Sequence, residues 1–178
     1  MKIIQTSIKG CSIIEPVIHG DNRGFFMETF QDKRYKKDLG IKDNFVQDNY
    51  SRSEKGVLRG LHLQKDKPQG KLIRVVRGEV FDVAIDMRKN SETYGKWTSI
   101  ILSEKNKRQF WIPKGFAHGF QVISDIADLE YKVTDHYDPE DEICIRWDDP
   151  YLNIKWPIRN PTLSEKDSQG ELFKNIQL

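Results

Sequence analysis

The stretch at residues 80–86 alternates large apolar side chains with small or acidic ones. Successive side chains of a β-strand point to opposite faces, so this alternation predicts a half-buried strand. One face would carry Phe81, Val83 and Ile85, and the other Asp82, Ala84 and Asp86. A chain made of such strands must cover its apolar faces by packing two sheets together or by closing one into a barrel.

Similar stretches recur along the chain and are separated by turn residues. They are 45–50, 57–64, 71–76, 97–102, 109–112, 119–123 and 129–134. Only two helices are predicted: Asp32–Leu39, which Gly40 would end, and a short one after Ser164, its expected N-cap, with Asp167 three residues on. The pattern indicates an all-β fold and leaves open a jelly roll, a lipocalin-like barrel and an immunoglobulin-like sandwich.

The length of 178 residues suits one domain, and we expect a single domain spanning residues 1–178. The formal charge of +2 gives no overall attraction to nucleic acid or membrane, so we expect neither as a partner. Cys11 and Cys144 form no closely spaced pair, which argues against a disulfide framework or zinc module. Without a long apolar run or a signal segment, the expected location is cytoplasmic.

Two of the four histidines lie in unusual settings. His118 follows a Pro-x-Gly turn, and His62 lies within a strand-like run. A histidine among apolar residues is more often a hydrogen-bonded core residue than a catalyst. The Pro-x-Gly-x-x-His element resembles the second motif of cupins, jelly-roll barrels that often bind a metal through a His-x-His pair. Here the first motif reads His62-Leu63-Gln64, without a further ligand at suitable spacing, so we expect a barrel with no metal and no cofactor.

Six further elements follow one another along the chain. They are Gln47-Asp48-Asn49, Arg59-Gly60-Leu61-His62, Gly70-Lys71-Leu72, Gly115-Phe116-Ala117-His118-Gly119-Phe120, Tyr131 with Tyr137, and Leu163-Ser164-Glu165-Lys166-Asp167. In this order they resemble the signatures of dTDP-4-dehydrorhamnose 3,5-epimerases, over about residues 13–167. The resemblance implies a cupin-type jelly-roll β-barrel with a few short helices. It also implies an isomerase that inverts C3 and C5 of dTDP-4-dehydro-6-deoxy-D-glucose to give dTDP-4-dehydro-L-rhamnose, for dTDP-L-rhamnose biosynthesis.

Both carbons flank the C4 ketone, so inversion requires a base, an acid on the opposite face of the sugar, and a cation near O4. The resemblance implies that His62 is the base, Asp167 orients it, Tyr131 is the acid and Lys71 stabilises the enolate. Strand alternation also places Lys71 on the apolar face of Ile73, where a lysine is costly unless it meets an anion. Two alternatives remain open: Lys71 extending to the barrel rim, and Asp167 as an ordinary helix-end residue.

The resemblance further implies a set of substrate-binding residues. They are Arg23, Phe26, Glu28, Gln47, Asn49, Arg59, Lys71, His118, Tyr137, Glu142 and Lys166. Cationic groups suit the diphosphate, and Phe26 would stack on the thymine. Arg59 and His62 are three residues apart and would point to opposite faces of a regular strand, unless Gly60 hosts a bulge.

Period-two alternation over residues 131–137 predicts Tyr131 and Tyr137 on one strand face and His136 pointing outward.

Relatives are dimers that exchange N-terminal strands, so the resemblance implies a homodimer in which Arg23 and Glu28 reach the neighbour's site. Other functions remain open. A relative that inverts only C3 or only C5, or uses another nucleotide sugar, would share the base and acid. A cupin binding module without chemistry would not need His62, Lys71 and Tyr131 together, and a metal-dependent oxygenase would need the missing His-x-His pair.

Overall fold

A computed structural model describes residues 1–178 as two facing antiparallel β-sheets with a separate hairpin and short helices. The strands are β1 (Lys2–Gln5), β2 (Ser12–Glu15), β3 (Ile18–Asp21), β4 (Gly24–Met27), β5 (Gln47–Glu54), β6 (Leu58–Gln64), β7 (Lys71–Arg77), β8 (Glu79–Asp86), β9 (Trp97–Ser103), β10 (Gln109–Ile112), β11 (Phe116–Val122), β12 (Ile126–Val133) and β13 (Glu142–Cys144). The helices are α1 (Asp32–Leu39), α2 (Glu165–Ser168) and a 3-10 turn at Phe173–Asn175. None of these helices has the length and apolar character needed to cross a membrane.

One sheet has six strands in the order β1-β2-β10-β7-β12-β5, and the other has five in the order β13-β6-β11-β8-β9. This confirms the all-β fold expected from the sequence, and the two facing antiparallel sheets agree with the jelly roll that the resemblance implies. Each predicted strand corresponds to an observed one with ends shifted by a few residues. The strands β1 to β4 and β13 were not predicted; each has only three or four residues, which gives little alternation to detect.

Gly78 carries the chain from β7 in the six-stranded sheet to β8 in the five-stranded sheet. Its φ is +78°, and a Cβ there would lie 2.0 Å from the carbonyl oxygen of Ile126. Only glycine fits this crossing. The helix signals are also confirmed: Gly40 ends α1 with φ +69°, and the Ser164 hydroxyl accepts a hydrogen bond from the Asp167 amide at 3.1 Å.

The space between the sheets holds an apolar core, and farther along the same strands it opens into a polar cavity. Along β7, the inward positions pass from Lys71, which lines a cavity, to Ile73 and Val75 in the core. Along β12 they pass from Tyr131 at the cavity to Leu129 in the core. The predicted placement of Lys71 on the face of Ile73 is therefore confirmed, and the core forms the floor of the cavity.

Strand β8 alternates as predicted, but the expectation that it is only half buried is wrong. A second apolar cluster, which includes Leu152 and Phe173, covers its outward side chains. On its inward face, Asp82 and Asp86 are both 0 % exposed. Alternation shows which residues share a face; it cannot show that a segment much later in the chain covers that face.

The hairpin formed by β3 and β4 pairs with neither large sheet. It leaves Phe25 and Phe26 exposed, at 58 % and 70 %. Adjacent exposed aromatic rings of this size are unusual on a surface that faces only water.

Candidate active site

A cavity of about 510 Å³ opens between the two sheets above the core. Its lining brings together most of the side chains that the sequence singles out, from positions far apart in the chain. They are Gln47, Asn49, Arg59, His62, Lys71, His118, Tyr131, Tyr137, Glu142, Lys166 and Asp167. The cavity is therefore the candidate active site.

Strand register explains the wall formed by the six-stranded sheet. Val133 pairs with both Gln47 and Lys71, and Tyr131 pairs with Asn49. Residues paired across neighbouring strands point to the same face, as do residues two apart on one strand. The amides of β5, the lysine of β7 and the phenol of β12 therefore project into the cavity together.

The five-stranded sheet forms the opposite wall. His62 pairs with His118 on β11, while Arg59 pairs with Phe120, so three steps along β6 match two along β11. This register shift is a bulge at Gly60, and it confirms the bulge expected there. It lets Arg59 and His62 line the same cavity although they are three residues apart.

Glycine is required at the bulge because the two strands approach closely. Gly60 has φ +116°, and a Cβ at this position would lie 2.6 Å from the Cα of Gly119 and 2.7 Å from the carbonyl oxygen of His118. A Cβ on Gly119 would in turn lie 2.8 Å from the carbonyl oxygen of Arg59. The paired glycines thus permit the geometry that points His62 inward.

His62 and Asp167 form a hydrogen-bonded pair, with 2.5 Å between Nε2 and Oδ1. Burial alone would raise the pKa of Asp167, but hydrogen bonds from His62, Ser164 and the Gly60 amide lower it overall. An ionised carboxylate accepts, so Nε2 carries the proton and Nδ1 keeps its lone pair. This assignment makes Nδ1 the nitrogen that can remove a substrate proton.

Glu142 lies beside that free nitrogen. Its Oε1 is 3.6 Å from His62 Nδ1, too far for a hydrogen bond, and its Oε2 accepts hydrogen bonds from the Tyr137 hydroxyl, at 3.0 Å, and the Lys166 ammonium. Burial and the Glu142 carboxylate raise the pKa of Tyr137. The carboxylate is therefore held next to the base without blocking it.

Lys71 is a cation without a counter-ion in the cavity wall. Its ammonium makes no hydrogen bond or ion pair with the protein, and it lies among the cavity residues. Burial lowers its pKa to about 8, while the carboxylates of Glu142 and Asp82 raise it in part. A partly desolvated, unpaired ammonium favours an anionic ligand oxygen.

Tyr131 projects from the sheet opposite the one that carries His62. Burial raises the pKa of its phenol, and the positive charge of Arg59 offsets part of that rise. The phenol is protonated at neutral pH and has no hydrogen-bond partner in the protein. It is therefore available as a proton donor on the far side of a bound ligand.

His118 lies deeper, where Nε2 is 3.0 Å from both carboxylate oxygens of Asp82. Burial raises the pKa of Asp82, and its pairing with His118 and the charge of Lys71 offset part of that rise. Asp82 was not among the predicted site residues. The signal was present, because the alternation of β8 placed this aspartate on the face opposite Phe81.

Tyr137 reaches the cavity by a different route from the one predicted. Strand β12 ends at Val133, so strand alternation does not connect Tyr131 with Tyr137. The loop that carries Tyr137 is fixed by Gln64, which accepts a hydrogen bond from the Asp138 amide at 2.8 Å. His136 is exposed on this loop, as expected.

Three predicted residues lie outside the cavity of their own chain. Arg23 is exposed on the β3–β4 hairpin and pairs with Asp21 at 2.5 Å. Phe26 is on the same hairpin, and Glu28, just after it, pairs with Arg34. Their assignment to a neighbour's site stays a prediction.

The sequence argument that His62 has no further metal-ligand type nearby is wrong. Asp167, and Cys144 in register with His62, bring a carboxylate and a thiol within 4.8 Å of it and of each other. Two atoms that bind one zinc ion at about 2.0–2.2 Å in a tetrahedral site lie more than about 3 Å apart. The 2.5 Å between His62 Nε2 and Asp167 Oδ1 fits a shared proton and not a shared ion.

Known proteins share both the sequence and the fold. The family model described as dTDP-4-dehydrorhamnose 3,5-epimerase matches residues 5–175. A dTDP-4-dehydrorhamnose 3,5-epimerase of Shigella flexneri is 54% identical over 174 residues, 97% of this chain and 96% of that protein.

Two solved structures extend the comparison. The crystal structure of a dTDP-6-deoxy-D-glucose-3,5-epimerase from Legionella pneumophila, in complex with dTDP-4-keto-L-rhamnose, has a TM-score of 0.97 and 58% identity and covers 99% of this chain and 94% of that one. ChmJ, a 3'-monoepimerase from Streptomyces bikiniensis, has a TM-score of 0.88 and 32% identity over 94% of this chain and 85% of its own. This chain therefore belongs to the dTDP-4-dehydrorhamnose 3,5-epimerase family.

Proposed function

We propose that this protein is a dTDP-4-dehydrorhamnose 3,5-epimerase that converts dTDP-4-dehydro-6-deoxy-D-glucose to dTDP-4-dehydro-L-rhamnose in dTDP-L-rhamnose biosynthesis. One arrangement carries the proposal. His62, which Asp167 holds, and the Tyr131 phenol project from opposite sheets into one cavity, and the unpaired Lys71 ammonium lines the same cavity. Inversion next to a ketone requires a base on one face of the carbon, an acid on the other face, and a cation near the ketone oxygen.

The first step is proton removal from a carbon next to the C4 ketone. His62 Nδ1 takes the proton, and the electron pair of the C–H bond moves through the carbon framework to O4 as an enolate. Asp167 stabilises the imidazolium that results, as a carboxylate does for a catalytic histidine elsewhere. Lys71 stabilises the negative charge that develops on O4 as the proton leaves. Because this charge is absent from the bound ketone, the interaction stabilises the transition state more than the bound substrate and so lowers the barrier.

The second step returns a proton to the opposite face of the carbon. Tyr131 donates its hydroxyl proton, the enolate collapses to the ketone, and the centre is inverted. The enzyme then holds an imidazolium and a phenolate, and proton exchange with solvent through the open cavity restores both. The same cycle at the second carbon completes the reaction.

The remaining lining residues suit the nucleotide part of the substrate. Arg59 and Lys166 offer cations for the diphosphate. Tyr137 is 48 % exposed at the cavity opening and offers an aromatic face on which the thymine ring can stack. Gln47 and Asn49 present their amides side by side, with 2.8 Å between Gln47 Nε2 and Asn49 Oδ1.

A homodimer is part of the proposal. The exposed rings of Phe25 and Phe26 on the β3–β4 hairpin support it, since a second copy would cover them and receive Arg23 in its own site. Sedimentation velocity tests this assembly, and a monomer at micromolar concentration would contradict it. The cytoplasm is the proposed location, which agrees with the free thiols of Cys11 and Cys144.

An epimerase that inverts only one centre is the alternative, because ChmJ is described as a 3'-monoepimerase and shares the fold. Its 32% identity is well below the 58% shared with the 3,5-epimerase from Legionella pneumophila, which favours double inversion.

NMR analysis of the product formed from dTDP-4-dehydro-6-deoxy-D-glucose tests the function. We expect the L-configured double epimer at a rate that a chelator does not change. A product inverted at one carbon would favour the alternative, and no turnover at all would contradict the proposal. Loss of activity with chelator and recovery with a divalent ion would overturn the metal-independent mechanism.

A further inference from the structure

The mechanism above leaves one buried acid behind the cavity wall without a role. Asp82 is 0 % exposed, and both of its carboxylate oxygens lie 3.0 Å from His118 Nε2, its one hydrogen-bond partner. Burying a carboxylate is costly, and a pair of apolar residues would fill the same space at no such cost. This buried acid calls for an explanation other than packing.

The second ring nitrogen of His118 faces the cavity. Nδ1 makes no hydrogen bond within the protein, yet no buried side-chain nitrogen or oxygen is left without a partner. Nδ1 must therefore reach solvent, and the cavity is the solvent-filled space that His118 lines. Asp82 accepts from Nε2 on the inner side while Nδ1 remains open to a ligand.

Asp82 also acts on the cation from the other wall. Its negative charge raises the pKa of Lys71, which burial otherwise lowers to about 8. Glu142 is the other carboxylate that raises it. Asp82 thus lies directly behind His118 and acts on Lys71 through its charge, and both of these residues line the cavity.

We propose that Asp82 is a positioning residue of this active site, which fixes the Nε2 proton of His118 so that Nδ1 faces the substrate and which, with Glu142, places negative charge near the Lys71 ammonium. This inference rests on the proposed function. It adds a role at a residue that does not line the cavity and touches the substrate only through its neighbours.

The inference predicts a change in the pH profile of turnover. Lys71 stabilises the enolate only when protonated, so the rate falls as pH rises through its pKa of about 8. Removing the charge of Asp82 lowers that pKa further, and the alkaline limb moves to lower pH. At a pH above the pKa, lowering the pKa of Lys71 by about 1 reduces the cationic fraction about tenfold. The substitution leaves the other ionisable side chains that face the cavity unaltered. They are His62, His118, Arg59, Tyr131, Tyr137, Glu142, Lys166 and Asp167.

The test compares Asp82→Asn with the matched control Asp128→Asn. Asp128 is also a buried strand aspartate with one cationic partner, Arg52, at 2.7 and 2.8 Å, but it lies outside the cavity. For Asp82→Asn we expect kcat about tenfold lower at about pH 9, above the pKa of Lys71, and little changed at about pH 6. Asp128→Asn should follow the parent profile. An Asp82→Asn profile that superimposes on the parent would overturn the inference.

A second measurement needs no substrate. Nitrogen-15 NMR of the histidine rings reports which nitrogen carries the proton. We expect the neutral His118 ring of the parent protein to be protonated at Nε2, and Asp82→Asn to lose this preference, since an amide can accept or donate. A parent His118 protonated at Nδ1 would overturn the inference even if the variant does not fold. A protein with the expected NMR result but no turnover would instead contradict the proposed function alone.

Discussion

At the residue scale, the two ring nitrogens of His62 have different neighbours, and this difference gives the histidine its direction. Nε2 is held by Asp167 at 2.5 Å, and Nδ1 is left toward the cavity. If both nitrogens were hydrogen-bonded within the protein, His62 would be an ordinary core residue, which is the more common role of a histidine among apolar neighbours. The base is therefore specified by a contact between residues 105 positions apart.

The role of Tyr131 can be separated from that of the base. Tyr131→Phe keeps the ring that packs against the core and removes the hydroxyl. Because His62 can still remove a proton and return it to the same face, we expect deuterium from solvent to enter the substrate with its original configuration. Formation of the epimer should fall by about 10²-fold or more, the usual effect of losing a positioned acid. NMR in deuterated water measures both rates.

Tyr151→Phe is the control for Tyr131→Phe, because Tyr151 is 68 % exposed and lies outside the cavity. If Tyr131→Phe makes the epimer at the parent rate, the phenol is not the acid. Equal loss of exchange and inversion in a folded variant would instead assign it to enolate stabilisation.

Some of these positions could be predicted from local sequence, and others could not. The inward placement of Lys71 follows from strand alternation alone. Glu142 lies on a three-residue strand, Tyr137 on a loop and Lys166 on a helix, and the three side chains form one cluster. No local sequence pattern shows that these three elements come together. For those residues, only the family resemblance carried the prediction.

At the element scale, β6 shows how a local rule and its exception both follow from sequence. Period-two alternation would have sent Arg59 and His62 to opposite faces, and the glycine between them indicated the bulge that is present. The predicted alternation over residues 131–137 was wrong beyond Val133, because β12 ends there and the chain continues as a loop. Strand ends are the least predictable feature, because they depend on partners in the sheet.

The end of β8 offers a test of how a buried acid stabilises a turn. Burial would raise the pKa of Asp86, but hydrogen bonds from Arg88, Ser91 and Thr93 lower it to about 2. A depressed pKa stabilises the fold above the unfolded value of about 3.9, and this contribution is lost as pH falls toward about 2. Asp86→Asn should therefore reduce the free energy of unfolding by about 2 kcal/mol at about pH 7, and the deficit should shrink as pH falls from about 4 to about 2.

Urea unfolding at several pH values measures this difference. Asp148→Asn is the control, because Asp148 pairs with Arg146 at an exposed site, where ion pairs contribute about 0–1 kcal/mol. A deficit for Asp86→Asn that is the same under acidic and neutral conditions would show that hydrogen-bond geometry, and not charge, stabilises the turn.

At the scale of the whole molecule, the function depends on the two sheets facing each other. The base comes from β6 of one sheet and the acid from β12 of the other, and the core between the sheets keeps them on opposite sides of a bound sugar. The sequence predicted an all-β chain, but alternation alone left three architectures open. The pairing of strands distant in sequence, such as β10 with β2 and β7, distinguishes them. A single domain over residues 1–178 and the homodimer stay predictions.

The central claim is that His62 removes the protons from both carbons next to the ketone. Turnover in deuterated water, followed by NMR of the product, tests it most directly. We predict deuterium at both C3 and C5 with the parent protein and with His136→Ala, whose histidine is exposed outside the cavity, and at neither carbon with folded His62→Ala. Near-parental deuterium incorporation by His62→Ala, or a parent product that keeps its original hydrogen at either carbon, would contradict the account.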